Sequence, residues 1–469
     1  MKTIINSALV SLLLVLSSCG LTKDVATPNK GLPINFRGTE TNENASIGSL
    51  PIKEFFNNEA MLRLIDSALV RNFDLQIALK NIDAAELILK RAKLGNIPTL
   101  NLQVTANSSR PSDNSLNGLS TSQFLNTNHI EDYNANLALS WEADIWGKIA
   151  KQKDAAYAAS LQSAEVKKAI QTRVVAQVAI GFYRLLMLDA QLQVAKSNVE
   201  LNDHTLKMIK MQFDAGQVTS LAIQQAEAQQ LKATQLIPQI NSEINIQENA
   251  LNTLTGNYPS AIERSSTLAQ IVVPVQLATG VPAAMLGIRP DVKSSELGLR
   301  IANAKVGVAN AKLYPTLIIS ASAGLNSFQA SNWFNIPASL FGVVGGGITQ
   351  PIFNRKELKT QFELAKVERE QSVLRFRQTV VEAVAEVSNE QAKIVNLQSE
   401  YAIAQNRVKT LQLAVKNSDL LFKSGMANYL EVITAQGNLL QGELDLTSLK
   451  TAQLNAGISL YRALGGGWQ

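Results

Sequence analysis

Few side chains in this sequence could act as nucleophiles, acid–base catalysts or metal ligands. Histidine occurs twice, as His129 in a polar segment and His204 in a helical one, and no cysteine stands beside either. The sequence contains no Cys/His cluster with metal-ligand spacing, no Gly-rich phosphate loop after a strand and no GxSxG elbow. We therefore predict that the protein is not an enzyme, has no catalytic residues and needs no metal or diffusible cofactor.

Cys19 is the one residue for which the sequence predicts covalent chemistry, and it is the only cysteine among 469 residues. It follows Lys2 and an apolar run over residues 4–16, which predicts a secretory signal peptide over residues 1–18. The Leu-Ser-Ser-Cys ending resembles the lipobox at which bacterial lipoproteins are cleaved and acylated. Cys19 is therefore the predicted lipidation site, with palmitate among its acyl chains, and Gly20 in place of Asp permits transport to the outer membrane. The alternative is an ordinary signal peptide that happens to carry a cysteine.

Composition narrows the class of protein further. A single cysteine excludes intramolecular disulfides, so the fold depends on packing or oligomerisation. Beyond residue 18 no stretch approaches 18 uninterrupted apolar residues, so any membrane crossing must use β-strands. The formal charge of +5 is spread along the chain without a basic block, and we expect no nucleic-acid binding.

The mature chain reads as two similar halves about 210 residues apart. Each half has the order helix, strand, polar loop, strand, very long helix, glycine turn, long helix. A period of this length indicates duplication rather than a solenoid. The matching segments are 92–94 with 311–313, 98–100 with 315–317, 213–216 with 422–425, and 251–256 with 460–465.

Four segments are predicted to be strands. Residues 100–107 and 133–141 alternate between apolar and polar side chains, and Tyr133 and Trp141 lie at the ends of the second segment. This pattern is typical of a membrane β-barrel with aromatic residues at the interface, and equally of a soluble two-faced sheet. Residues 316–325 and 340–348 alternate less regularly. The polar segments 108–132 and 326–337 are predicted to be exposed outer turns.

Two very long helices are predicted, over residues 148–213 and 356–422, and neither contains proline. Each would extend roughly 100 Å at 1.5 Å per residue. The second has a coiled-coil seam with 3/4 spacing. The seam residues are Val380, Ala383, Val387, Ile394, Leu397, Tyr401, Ala404, Val408, Leu411 and Val415.

Two motifs resemble a known family. RPDV from Arg289, followed by Glu296, Gly307 and Pro315, and WEADIWGK over residues 141–148 are similar to elements of TolC-type outer-membrane factors. These are the NodT/OprM-like outer-membrane lipoproteins of RND-type efflux systems. The resemblance spans about residues 50–465.

The resemblance implies a mainly α fold with membrane β-barrel strands and a duplicated repeat. Three copies would form a homotrimeric α-helical barrel, a coiled-coil tunnel, above which four strands per chain build a shared twelve-stranded β-barrel. Four strands alone would leave open edges in lipid, so oligomerisation is physically required. The expected divisions are a signal peptide (1–18), a lipidated segment (19–55), a first repeat (56–256), an equatorial connection (257–287), a second repeat (288–465) and a tail (466–469).

The resemblance also assigns roles to the two glycine turns, which in the family are periplasmic hairpin tips that dock onto an adaptor protein. Gly216 and Gly425 also suit left-handed C′ positions, and Thr219 or Ser220 and Asn428 suit helix N-caps, so a purely structural role remains open. The expected adaptor contacts are Gly216, Gln217, Val218, Thr219, Gly425, Met426, Ala427 and Asn428.

Glu431 corresponds to an acidic residue that, in the family, rings the closed periplasmic aperture. Three carboxylates close together would favour protonation or cation binding. The alternative is that Glu431 only closes a variant capping box with Asn428. The second family acid is absent, because Thr434 and Ala222 occupy the matching places.

The expected function is that of a passive outer-membrane exit channel of a tripartite RND-type efflux pump, conducting small toxic compounds. Its expected partners are a periplasmic adaptor, an inner-membrane transporter and outer-membrane lipid. Two alternatives remain at this point: the duct of a protein or peptide export system, and a periplasmic coiled-coil scaffold lipoprotein. The scaffold would not account for the alternating strands.

Overall fold

The computed structural model describes residues 33, 36–37, 46–273 and 278–469. The predicted signal peptide, Cys19 and Pro274 lie outside these residues. The described chain falls into two compact units. The first is formed by residues 84–160 and 297–374, and the second by residues 33, 36–37, 46–83, 161–273, 278–296 and 375–469.

The elements follow the predicted order twice along the chain. They are α1 (Ile52–Phe55), α2 (Glu59–Arg71), α3 (Phe73–Lys93), β1 (Thr99–Ser109), α4 (Leu116–Leu125), β2 (Ile130–Ala143), α5 (Lys148–Asp214), α6 (Ser220–Leu254), α7 (Pro282–Ile288), α8 (Pro290–Ala311), β3 (Thr316–Ser327), β4 (Leu340–Thr349), α9 (Glu357–Lys423) and α10 (Tyr429–Ala463).

The duplication is visible in the lengths of the helices. Helices α5 and α9 each contain 67 residues, and α6 and α10 each contain 35. Both shorter helices end in a Schellman turn, at Gly256 with φ +67° and at Gly465 with φ +92°. The two halves therefore repeat the same helical plan, as the sequence predicts.

The four predicted strands form one antiparallel sheet in the order β1-β2-β3-β4. Thr99 pairs with Ser140, and Thr316 pairs with Thr349, so the starts of β1 and β3 lie at the same end of the sheet as the ends of β2 and β4. Each hairpin therefore returns the chain to the end at which a 67-residue helix begins. Within one chain, the outer edges of β1 and β4 have no partner strand among the described residues.

The prediction of a simple outer turn over residues 108–132 is wrong in one respect, because this segment contains α4. Ser115 begins that helix by accepting a hydrogen bond from the Gly118 N–H at 3.1 Å. Residues 326–337 contain a single 3-10 turn at Ala330–Asn332. The sequence did not predict α4 because its residues show no apolar periodicity. Its start is marked only by the local capping hydrogen bond of Ser115.

The core of the second unit fills the space between the helices. Its largest fully buried side chains include Met61 from α2, Phe182 and Leu185 from α5, and Leu251 from α6. The predicted seam of α9 faces inward, since Ala383, Val387, Val408 and Val415 are buried. In the part of the chain that the structure describes, α5 alone contains an 18-residue window apolar enough for a membrane span. That window is 61% buried within the protein, which is typical of a core helix.

Candidate functional site

The two hairpin tips are five-residue turns with nearly identical backbones, over residues 215–219 and 424–428. Gly216 has φ +70° and Gly425 has φ +73°, the left-handed conformation predicted for both. In each turn the following N–H closes a Schellman motif, from Gln217 to the Gln212 carbonyl and from Met426 to the Leu421 carbonyl, both at 2.8 Å. An added Cβ on either glycine would meet nothing within 4 Å, so backbone conformation alone calls for glycine.

The returning helices differ in how they are capped. The Asn428 side chain accepts hydrogen bonds from the N–H groups of Leu430 at 2.9 Å and Glu431 at 3.2 Å. Thr219 occupies the N-cap position of α6 but makes no side-chain cap hydrogen bond. The second tip therefore has a cap that the first tip lacks.

The two tips pack against each other through an apolar cluster, so they present one continuous surface. The cluster contains Leu206, Ile209, Ala222, Ala226, Phe422 and Val432, with Met208, Val218, Ile223 and Tyr429 packed around it. Phe213 and Phe422 occupy matching places in the repeats, yet Phe422 is 3% exposed and Phe213 is 41% exposed. Of the eight expected contact residues, Val218 and Ala427 are half-buried and the other six are exposed.

Glu431 lies exposed in the first turn of α10, beside the second tip. Its carboxylate accepts a hydrogen bond from the Asn428 side-chain amide at 3.4 Å. In a capping box the carboxylate would instead bind the backbone N–H of residue 428. The long contact leaves most of the carboxylate available to solvent.

A buried polar layer lies further from the tips, between α5 and α10. Gln436 is 1% exposed and donates to the Thr205 hydroxyl at 2.7 Å. The Asn202 amide donates to the Asn198 side chain at 2.7 Å. Hydrogen-bonded polar residues inside a coiled coil fix the register of its helices, because any shift leaves them unpaired.

The WEADIWGK motif forms the joint between β2 and α5, called here the first joint (residues 141–148). Asp144 caps α5 by accepting from the N–H groups of Ile149 at 2.9 Å and Ala150 at 2.8 Å. The Trp146 indole donates to the Pro315 carbonyl at 2.7 Å and stacks on Tyr314, with ring centroids 4.9 Å apart. The motif therefore fixes the strand-to-helix turn.

Arg289 of the RPDV motif lies at the centre of an ion-pair network in the second unit. Its side chain is 9% exposed and pairs with Asp291 at 2.7 Å and Glu386 at 2.8 Å. It also donates to the Ala463 carbonyl at 2.6 Å, and Arg462 pairs with the same Glu386. Burial by itself would lower the pKa of Arg289, but the hydrogen bond and charge of Asp291 and the charge of Glu386 outweigh it and raise that pKa.

The comparison with known protein families matches two segments of the chain, one in each repeat. The model of the outer membrane efflux protein family matches residues 64–257 and 281–466, which is most of the sequence. The chain belongs to the outer membrane efflux protein family.

Named relatives cover almost the whole of this efflux protein. It is 29% identical over 477 residues to SrpC, the solvent efflux pump outer membrane protein of Pseudomonas putida, covering 97% of each chain. It is 26% identical over 459 residues to the cation efflux system protein CusC of Escherichia coli, covering 97% of each. A crystal structure of CusC superimposes with a TM-score of 0.84, covering 96% of this chain and 100% of that one. SilC of Salmonella typhimurium, a probable outer membrane lipoprotein, is 24% identical over 465 residues, covering 98% of each.

The family and the fold confirm the predicted efflux function and outer-membrane location. This efflux protein is an outer-membrane channel protein, and its relatives are efflux channels rather than enzymes. Among the residues that the structure describes, no group of three or more His, Cys, Asp or Glu side chains is placed to hold a metal ion.

Sequence reasoning missed Arg264, which lies in the connection between the repeats of the efflux protein. Its guanidinium pairs with Asp189 of α5 at 2.6 Å and with Glu248 of α6 at 2.5 Å. Arg264 thus links α5 and α6 of the first repeat, and Arg289 links α9 and α10 of the second. No local pattern marks Arg264, because both of its partners are distant in the sequence.

Proposed function

We propose that the protein is the passive exit duct of a tripartite RND-type efflux pump and acts as a homotrimer. The observation that carries this proposal is the four-stranded sheet, whose outer edges at β1 and β4 have no partner strand in the part of the chain that the structure describes. Open strand edges cannot be left in lipid, and three copies joined edge to edge close a twelve-stranded barrel.

The hairpin tips are the proposed docking surface for a periplasmic adaptor protein. Gln217, Thr219, Met426 and Asn428 are exposed around the two glycines, and Met426 is 73% exposed. Val218 and Ala427 are half-buried, so we assign them to support of the surface as much as to contact. Flexible, exposed methionine is well suited to an apolar docking contact.

Glu431 is the proposed aperture residue. It is exposed, it lies one turn from the second tip, and its hydrogen bond to Asn428 is long. Three copies would place three carboxylates around one axis, where mutual repulsion favours the binding of cations. The backbone cap of α10 is made by Asn428, so the Glu431 carboxylate is not needed for it.

A lipidated N-terminal segment is the proposed anchor of the duct, and small toxic compounds are its proposed cargo. Cleavage after residue 18 and lipidation of Cys19 would anchor residues 19–55 at the outer membrane. The repeats would span residues 56–256 and 288–465, joined by the connection 257–287, with residues 466–469 as the tail. SrpC and CusC are named for solvent and cation efflux, which favours small toxic compounds over polypeptides as cargo.

The test is a deletion strain complemented with the wild-type or a variant gene, scored by accumulation of a fluorescent efflux substrate and by native mass of the purified protein. We expect a trimer that restores efflux, whereas the pair Gln217→Asp and Met426→Asp should keep the trimer but lose efflux. A monomer, or full efflux by the paired variant, would contradict the duct or the docking surface respectively. Leu116→Asp, an 84% exposed apolar position in α4, is the matched control.

A further inference from the structure

The two strand-to-helix joints stand at equivalent places in the repeats but differ in how they are covered. The first joint, residues 141–148, is half-buried along its whole length. The corresponding residues 349–356, called here the second joint, are all exposed. Within it Ile352 is 97% exposed and Phe353 is 90% exposed. Two large apolar side chains are thus left without cover at the end of the sheet.

The segments that immediately precede β1 and β3, called here the lead-ins, also differ in their exposure. The lead-in to β3, residues 313–315, is half-buried because the first joint covers it through Trp146. The lead-in to β1, residues 94–98, is exposed, and both Leu94 and Ile97 are 58% exposed. Among the described residues, each chain therefore has one covered lead-in, one exposed lead-in and one joint whose apolar side chains are left exposed.

Two further contacts show that both repeats follow the same geometry. The Trp141 indole donates to the Asn96 carbonyl at 2.8 Å, from the first joint to the lead-in of its own hairpin. The Gln350 amide donates to the Leu313 carbonyl at 3.1 Å, from the second joint to the lead-in of its own hairpin. The first joint also reaches the lead-in of the next strand, at Pro315. The second joint lacks this counterpart in the described chain.

We propose that the second joint of each copy covers the lead-in to β1 of the next copy. Ile352 and Phe353 would then pack against Leu94 and Ile97. The next strand after β4 is then β1 of another chain. This inference rests on the proposed homotrimer and names the side chains that close it. A contact within one chain is excluded because β1 and β4 are three strand spacings apart, about 14 Å.

Charge opposes this contact only weakly. Arg355 and Lys356 on the joint and Lys93 beside the lead-in are all exposed and carry the same sign. Exposed charges are screened over about 8 Å at physiological ionic strength, whereas burial of apolar side chains is not screened. The contact is therefore apolar in origin and should persist in high salt.

The test is disulfide formation between copies in the variant Ile97→Cys with Phe353→Cys, purified as the full-length protein and treated with an oxidant. A disulfide needs Cα atoms within about 7 Å, so the pair cannot link within one chain. We expect a ladder up to a covalent trimer on a non-reducing gel, at low and high salt. Leu94→Cys with Ile352→Cys is a second pair, for use if the first folds poorly.

The controls separate this inference from the trimer itself. Leu102→Cys with Phe353→Cys uses a 71% exposed residue about 17 Å further along β1 and should not cross-link. Single variants and the wild type report any linkage through Cys19. A native trimer whose thiols stay free overturns the inference and leaves the proposed function standing. Equal cross-linking of the Leu102 pair also overturns it, and a native monomer overturns both.

Discussion

The guanidinium of Arg289 lies 2.8 Å from the carboxylate of Glu386, so the residue that opens the RPDV motif is paired with a residue of α9 nearly one hundred positions later. Asp291 and the Ala463 carbonyl complete the coordination of the same side chain. The RPDV motif, which indicates the family in the sequence, therefore links α8, α9 and α10 in the fold.

Replacement of Arg289 by Ala should destabilise the second unit strongly. The change removes the Arg289 partner of Asp291 and leaves Glu386 paired with Arg462 alone. Because the two carboxylates are 43% and 25% exposed, the loss should be about 2–3 kcal/mol, below the value for a fully buried pair. Thermal unfolding in detergent measures the loss. Arg63→Ala breaks the exposed pair with Glu263 and should cost no more than about 1 kcal/mol. Equal effects of the two changes would contradict the central position of Arg289.

Replacement of Asn428 by Ala should loosen the start of α10. The side chain satisfies the N–H groups of Leu430 and Glu431, and loss of such a cap costs about 1 kcal/mol. Hydrogen exchange at these two amides should become faster. Thr219→Ala is the matched control at the first tip, where the side chain makes no cap bond, and exchange there should change little.

The Tyr461 hydroxyl should give the fold an alkaline limit. It donates to the Leu50 carbonyl at 2.7 Å, and its ring stacks on Phe55 with centroids 4.0 Å apart. Burial raises the pKa of Tyr461 from 10.0 to about 12, although a Gly467 hydrogen bond opposes the shift. The folded state therefore favours the neutral phenol. This contribution to stability is complete below pH 10 and is lost as the pH rises towards about 12.

Unfolding temperature measured from pH 8 to pH 12 tests this limit. The wild type should lose stability steeply above pH 10, while Tyr461→Phe should be less stable at pH 8 but lose less between pH 10 and pH 12. Phenylalanine keeps the stack on Phe55 and removes only the hydroxyl. Parallel curves for the two proteins would assign the alkaline limit to other groups.

Replacement of Glu431 by Gln should reduce the preference of the channel for cations. The change removes three carboxylates from the proposed aperture but leaves the Asn428 cap of α10 in place. Current–voltage recordings in planar bilayers under a salt gradient measure the effect as a shift in reversal potential. Glu227→Gln removes one exposed carboxylate per chain from α6 and should leave the reversal potential unchanged. An unchanged potential in Glu431→Gln would leave that residue with a helix-terminal role only.

A second acid near the aperture should create a stronger cation site. Thr434 stands one turn after Glu431, and Thr434→Asp would add three carboxylates to the proposed ring. Neighbouring carboxylates repel each other and gain most from a divalent or trivalent cation. We expect block of the channel current by such cations at lower concentration than in the wild type. Block at the same concentration in both proteins would argue against an aperture at this position.

The sequence by itself determined the strands, the long helices and the tips. The strands follow from alternation over residues 100–107 and 133–141, and the ends of α5 and α9 were predicted to within one residue. Gly216 and Gly425 were predicted to be left-handed because only glycine adopts that conformation without cost. All of these signals are local, because each depends on residues within a few positions of one another.

Only the tertiary structure decided which of two equivalent residues is buried. Phe213 and Phe422 have matching surroundings in the sequence, yet only Phe422 enters the cluster between the tips. Likewise Asp189, which pairs with Arg264, and Glu386, which pairs with Arg289, lie on helices distant in the sequence. The first joint is half-buried while the second is exposed. Burial and ion pairing depend on contacts with residues that are distant in the sequence. The local periodicity of a segment does not indicate which distant residues will contact it.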